Sequence, residues 1–279
     1  MLKDEVAAWS KPDFPIRDPR RSQGRGMTDG AVYALETRGL SREFGGFFAV
    51  NGVNFRLAHN SMHAVIGPNG AGKTTLFNLL TKFLPPSAGA ILHDGHDVTR
   101  LSMPAMAKRS VVRSFQISAV FAGLTVRENI ELALLPEHGL AWNLLGRISR
   151  HRAVLDRADA LLARFGLSEY AETMAGSLSY GRKRVLELAT TLALDPRVLL
   201  LDEPMAGLGH EDIGRVTQLI REAGRGRTVL LVEHNMNVVA ELADTITVMV
   251  RGEVLAEGSY AEVSSRADVM AAYTGQAHA

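Results

Sequence analysis

The run Gly67-Pro68-Asn69-Gly70-Ala71-Gly72-Lys73-Thr74 constrains this chain more than any other feature. It follows a short apolar stretch, residues 64–66, read as the end of a strand, and it opens a predicted helix from Lys73 to about Phe83. A glycine loop between strand and helix is the context in which such a run binds phosphate. Glycines let backbone N–H groups turn inward without a Cβ clash. The helix N-terminus adds roughly half a positive charge aimed at the anion. Lys73 is placed to reach β and γ phosphates, and the Thr74 hydroxyl to ligate Mg²⁺. A bound nucleotide is the expectation.

Two carboxylates extend that reading. Val198-Leu199-Leu200-Leu201 is an apolar strand that ends in Asp202-Glu203. A strand buried on both faces delivers its terminal side chains to the sheet edge where ligands of α/β proteins sit. Asp202 then suits the Mg²⁺ shell, and Glu203 suits the polarisation of an attacking water. Further apolar runs at 50–57, 62–66, 111–115, 228–232 and 245–250 read as strands. Amphipathic stretches lie between them. Val154, Ala158, Leu161, Leu162 and Phe165 share one helical face, closed by Gly166, and Val185, Leu188, Ala189 and Leu192 share another. Alternating strands and helices predict an α/β fold with a largely parallel sheet.

Composition narrows the class. The 279 residues are 46% hydrophobic and carry a net charge of +1, which excludes wholesale disorder and gives no overall field for nucleic acid. The absence of cysteine excludes disulfide scaffolds, thiolate metal sites and cysteine nucleophiles. No stretch of about 18 uncharged apolar residues is present, and the first residues do not read as a secretory signal. A soluble cytosolic protein is expected. Residues 1–30 hold three prolines and mixed charges without periodicity, and read as a disordered extension, with Met27 an alternative start.

Leu178-Ser179-Tyr180-Gly181-Arg182 precedes the second amphipathic helix, with Ser179 suited to an N-cap and Gly181 to close backbone approach. Taken alone, the pentapeptide fits a capped helix that meets no phosphate. Its place between the phosphate loop and the acidic strand favours a second anion-receptive helix end. Gln116 follows the loop, and His234 follows another apolar strand in Leu230-Leu231-Val232-Glu233-His234.

Over roughly residues 33 to 258 these ordered motifs resemble the ATP-binding subunits of ABC transporters. The resemblance rests on the loop at residues 67–75, Gln116, the signature at 178–182, the acidic strand with Glu203, and His234. It implies a P-loop ATPase head with a RecA-like core, an antiparallel β subdomain and a helical subdomain at about 117–195, the whole domain spanning 31–258. Residues 259–279 would form a short helical tail. ATP would lie against Phe44, Gly67, Pro68, Asn69, Gly70, Ala71, Gly72, Lys73, Thr74 and Thr75. In a head-to-tail dimer, with itself or a paralogue, Ser179 and Gly181 of the other subunit would cap it. Glu203, His234, Lys73 and Gln116 would be catalytic, with Mg²⁺ held by Thr74, Gln116 and Asp202. A core role for Phe44 stands beside adenine stacking.

Finer features are similar to the ATPases of branched-chain amino acid importers. They include Phe44-Gly45-Gly46, Ala206-Gly207-Leu208, Val232-Glu233-His234-Asn235-Met236, Ala272-Tyr273-Thr274-Gly275 and the segment at 138–152. The implied partners are integral membrane permease subunits and, indirectly, a periplasmic or extracellular solute-binding protein. The implied place is the cytoplasmic face of the membrane. The apolar surface with Val120, Phe121 and Leu124 is either core or the dock for a permease helix. Arg182 stands where the signature usually has Gln, Tyr180 replaces a glycine, and Gly209 replaces an aspartate. Import of urea or amides, and a nucleotide-gated subunit with weak hydrolysis, are the alternatives. A DNA-repair ATPase of the same head type is disfavoured because no long heptad insertion separates Gln116 from Ser179.

Overall fold

A computed structural model describes residues 32–114, 120–135 and 152–274. The extension at 1–30, Gln116 and most of the 138–152 segment lie outside the described residues.

Two sheets organise the chain. The first is antiparallel, in the order β2-β1-β4-β5, from β1 (Leu35–Phe44), β2 (Phe47–Leu57), β4 (Ala88–His93) and β5 (His96–Asp97). Both of its hairpins close through two-residue turns with both residues at positive φ, Gly45-Gly46 and Asp94-Gly95. That geometry matches the right-handed twist of the flanking strands. The second sheet runs β10-β9-β3-β8-β7-β6. Its parallel strands are β3 (Met62–Ile66), β6 (Val111–Arg113), β7 (Val198–Asp202), β8 (Thr228–Val232) and β9 (Thr245–Val250), with β10 (Glu253–Gly258) antiparallel at one edge.

The parallel strands are apolar runs because both of their faces are covered. Every residue of β3, β7 and β8 is buried. Side chains alternate between faces. Leu199, Leu201, Val229 and Leu231 therefore enter one core cluster, while Val198, Leu200, Leu230 and Val232 enter another. The second cluster fills the space between the two sheets around α1 (Lys73–Leu80), with Phe55, Leu76, Phe77 and Leu80. α2 (Met103–Ala107) adds Met106 to it.

The first cluster joins the sheet to a helical group. α3 (Val126–Leu134) opens on a capping box, Thr125 with Glu128. α4 (Arg152–Arg164) presents the expected face of Val154, Ala158, Leu161 and Leu162, and Gly166 follows it at φ 61°. α5 (Tyr180–Ala193) carries Val185, Leu188, Ala189 and Leu192 inward, and α6 (His210–Ala223) packs beside it. On the other side, α7 (Met236–Leu242), α8 (Tyr260–Ser264) and α9 (Ala267–Thr274) cover Ala64, Ile66, Ile246 and Val248 with Val239, Tyr260, Val263, Val269 and Tyr273.

Some boundaries differ from the sequence expectation. The helix after the phosphate loop ends at Leu80 rather than near Phe83, because Thr81 caps it and Lys82 turns to φ 63°, leaving Phe83 exposed. The strand expected at 50–57 begins earlier, at Phe47. Among the described residues no helix is long and apolar enough to cross a membrane.

Candidate nucleotide site

Strands β3, β8 and β7 are neighbours, and their register places three chain exits side by side. Val65 pairs with Val232, and Val232 pairs with Asp202. The loop after Ile66, the Asp202-Glu203 pair and the Glu233-His234 pair therefore leave from one edge of the sheet. This is the edge at which open parallel sheets accept ligands.

The phosphate loop is shaped by its neighbours as much as by any ligand. Gly67 lies at φ 149°, and a Cβ there would sit 2.1 Å from the carbonyl oxygen of Met249. Gly72 lies at φ 96°, with a Cβ position 2.2 Å from the carbonyl oxygen of Ala49. Only Gly70, at φ 79°, faces open space. Gly67 and Gly72 are therefore required by abutting protein backbone, independently of any phosphate that their loop meets. Ala71 is buried and its carbonyl accepts from the N–H of Gly252 at 3.0 Å. Pro68 is half-buried, whereas Asn69, Gly70 and Thr74 are exposed and Thr75 is half-buried. Lys73 Nζ donates to the carbonyl oxygens of Gly67 at 2.6 Å and Pro68 at 3.1 Å. Neither a capping side chain nor an acidic residue occupies the first turn of α1, so that helix end is open to an anion.

Asp202 is fully buried. Burial pushes its carboxyl pKa up, and Arg113 on β6 opposes the shift. Arg113 Nη2 donates to Asp202 Oδ2 at 2.7 Å, and Nη1 donates to Asn78 Oδ1 at 2.6 Å, while the guanidinium stacks 4.9 Å from the Phe77 ring centre. Asp202 Oδ1 is buried and has no hydrogen-bond partner. A buried, unsatisfied carboxylate oxygen at the sheet edge that the phosphate loop shares suits the hydration shell of a divalent cation. Glu203 follows at φ 45°, a left-handed backbone that costs a non-glycine residue about 1 kcal/mol or more.

Glu233 is the residue that the sequence reading quoted without a role. Its carboxylate is fully buried and accepts three backbone N–H groups, from Met205 at 2.9 Å, His234 at 2.9 Å and Asn235 at 3.0 Å. His234 itself is exposed. A buried acid directly before a histidine was the available signal, since such a carboxylate must find donors nearby.

Ser179 caps α5 as expected, accepting from the Arg182 N–H. Gly181 is buried against α6, where a Cβ would sit 2.1 Å from Asp212 Oδ2. Among the described residues, the contacts of Ser179 and Gly181 thus run to α5 and α6 rather than to the phosphate loop of the same chain. Arg182 stacks its guanidinium 4.3 Å from the Tyr170 ring centre, inside the helical group. Arg184 pairs with Glu187 at 2.8 Å. Tyr180 donates its hydroxyl to the Ala206 carbonyl at 3.1 Å. Phe44 is 44% exposed and carries the Arg42 guanidinium 4.6 Å above its ring, which removes the core alternative for it. Phe121 is 56% exposed, with Val120 and Leu124 half-buried beside it.

Comparison with known proteins agrees with this geometry. Residues 50–206 match the ABC transporter family. The chain is 38% identical over 253 residues to the high-affinity branched-chain amino acid transport ATP-binding protein BraF of Pseudomonas aeruginosa. It is 40% identical over 253 residues to the corresponding LivG protein of Escherichia coli K12. Each match covers 87% of this chain and 98% of the relative. Among solved structures, the ADP conformation of the ATP-binding cassette MJ1267 superposes with a TM-score of 0.77 at 27% identity, over 88% of this chain and all of that one. The fold is that of a P-loop ATPase head, and the chain belongs to the family of ABC transporter ATPases.

Proposed function

We propose that this chain is the ATP-hydrolysing subunit of an importer for branched-chain or related amino acids, working with permease subunits at the cytoplasmic face of the membrane. The observation that carries the chemistry is the common sheet edge from which the phosphate loop, Asp202-Glu203 and His234 emerge. The solute class rests on the relatives at 38% and 40% identity.

ATP would place its phosphates on residues 67–75, with Lys73 leaving the Gly67 and Pro68 carbonyls to meet them. Phe44 offers one exposed face to adenine, its other face being taken by Arg42. Mg²⁺ would be held from the Thr74 hydroxyl and Asp202 Oδ1, with Gln116 as a further ligand from outside the described residues. When bound, the cation neutralises charge on the phosphate oxygens. Glu203 orients the attacking water and accepts its proton, and His234 braces the γ-phosphate. Ser179 and Gly181 cap the nucleotide of a second subunit in a head-to-tail dimer, a reading supported by the exposure of Ser179 at the N-terminus of α5, with Gly181 buried behind it against α6.

Steady-state ATPase of the reconstituted transporter tests the assignment. Glu203→Gln is expected to lower kcat by about 10²–10⁴-fold while nucleotide binding persists. Unchanged hydrolysis would remove Glu203 as the base. Uptake of radiolabelled leucine in a strain lacking this chain tests the solute, and undiminished uptake would refute amino acid import.

A further inference from the structure

Four backbone groups around Glu203 are fixed by partners outside its own turn. The Glu203 N–H donates to the Val232 carbonyl at 2.8 Å. The Glu203 and Pro204 carbonyls accept from Arg184, through Nη2 at 2.8 Å and Nε at 3.1 Å. The Met205 N–H donates to Glu233 Oε1 at 2.9 Å. Arg184 and Glu233 are both buried, and Glu187 holds the third arm of the Arg184 guanidinium through Nη1.

Glu233 also reaches a second segment. Its Oε2 takes the N–H groups of His234 and Asn235. One carboxylate therefore spans two loops, the turn after Glu203 on one oxygen and the His234 loop on the other. Charge-assisted bonds of this kind are short and directional, and a buried carboxylate that loses one is left unsatisfied. The strained φ of Glu203 persists only because its surroundings over-determine it.

We infer that Glu233 and Arg184 are positioning residues, which hold the Glu203 side chain and the His234 loop at a set separation for water attack on the γ-phosphate. This rests on the reading of Glu203 as the base. Glutamine at 233 keeps one acceptor but turns an NH₂ group toward N–H donors, so one of the two loops is released. Lysine at 184 keeps the charge and reaches only one of the two carbonyls. Neither change touches the phosphate loop, so nucleotide affinity stays while turnover falls.

The test is steady-state hydrolysis by Glu233→Gln, Arg184→Lys and Glu203→Gln in the full chain with its permease. Rates are expressed per nucleotide-binding site, counted with a fluorescent ATP analogue. That normalisation removes any loss that comes from a smaller folded fraction. A positioning role predicts at least tenfold lower kcat per site for E233Q, with the KM for ATP within twofold. R184K follows the same split and decides the matter if E233Q does not fold. A kcat per site within threefold of wild type, or KM rising in step with the fall in kcat, overturns the inference. If E203Q is inactive while E233Q and R184K turn over normally, the inference fails and the base stands. If E203Q itself turns over normally, the base assignment fails instead, and the positioning role falls with it.

Discussion

Arg113 Nη2 lies 2.7 Å from Asp202 Oδ2, joining the strand that leads toward Gln116 to the acid at the end of β7. Asp202 has no solvent exposure, and its other oxygen has no partner. Removing one member of a buried pair leaves an uncompensated charge, at a cost of about 3–5 kcal/mol. Arg113→Met is therefore expected to lower unfolding free energy by about 3 kcal/mol in urea titrations of the nucleotide-free protein. Adding Asp202→Asn should recover most of the loss. A single-variant effect below about 1 kcal/mol would show that the pair is not holding the site together.

The phosphate-loop glycines should separate stability from binding. Gly72→Ala drives a methyl group against the Ala49 carbonyl, so it is expected to unfold the chain or sharply lower its Tm. Gly70→Ala meets no atom within 4 Å and bears only the left-handed backbone penalty of about 1–2 kcal/mol. It should fold, yet bind nucleotide more weakly because its methyl projects into the open space above the loop. Thermal melts and fluorescent-nucleotide titrations of both variants check this. Equal stability in the two would contradict the steric account.

His63 gives a pH dependence with a defined sign. It is buried, donates or accepts a 2.7 Å bond with Thr247 Oγ1, and packs edge-on against Phe55. Burial lowers its pKa from 6.5 to about 3. The unfolded chain therefore takes up a proton that the folded chain refuses. The stability contribution is fully present above pH 6.5 and is lost as pH falls toward 3. Between pH 7.5 and 5.5 wild type should lose about 1.4 kcal/mol that His63→Gln does not lose. Urea midpoints at the two pH values measure the difference, and parallel losses in both proteins would exclude His63 as the source.

The sequence makes the parallel sheet and its motifs readable because those strands are buried on both faces and exit directly into glycines, acids or histidine. β1 is harder to see. Its LETRGLSREF run mixes burial and exposure, and its ladder with β2 shifts register three times. Such a strand lacks clean alternation. β5 is only two residues long and has no periodicity to read. At the site, Glu203 and His234 stand in ordered motifs that point to a role, Glu233 stands beside His234 without one, and Arg113 and Arg184 lie outside those motifs. Their long-range partners are the Met205 N–H for Glu233, the Glu203 and Pro204 carbonyls for Arg184 and the Asp202 carboxylate for Arg113, which no local pattern encodes. Arg182 shows the same limit. Its neighbours Lys183 and Arg184 suggest mutual repulsion, yet the fold disperses them, with Arg182 on Tyr170 and Arg184 on Glu187.

The phosphate loop leans on two distant stretches, Ala49 from the β2 strand and Met249 to Gly252 from the β9–β10 turn. The second of these leaves the ribosome well after the loop itself. During synthesis the loop emerges early but lacks one of its walls until that turn has followed. Long-range closure of this kind is slow relative to local helix formation. A nascent chain stopped before residue 252 thus carries the whole glycine motif without the surroundings that shape it. The shape of the phosphate loop is therefore a property of the joined sheet rather than of the glycine motif by itself.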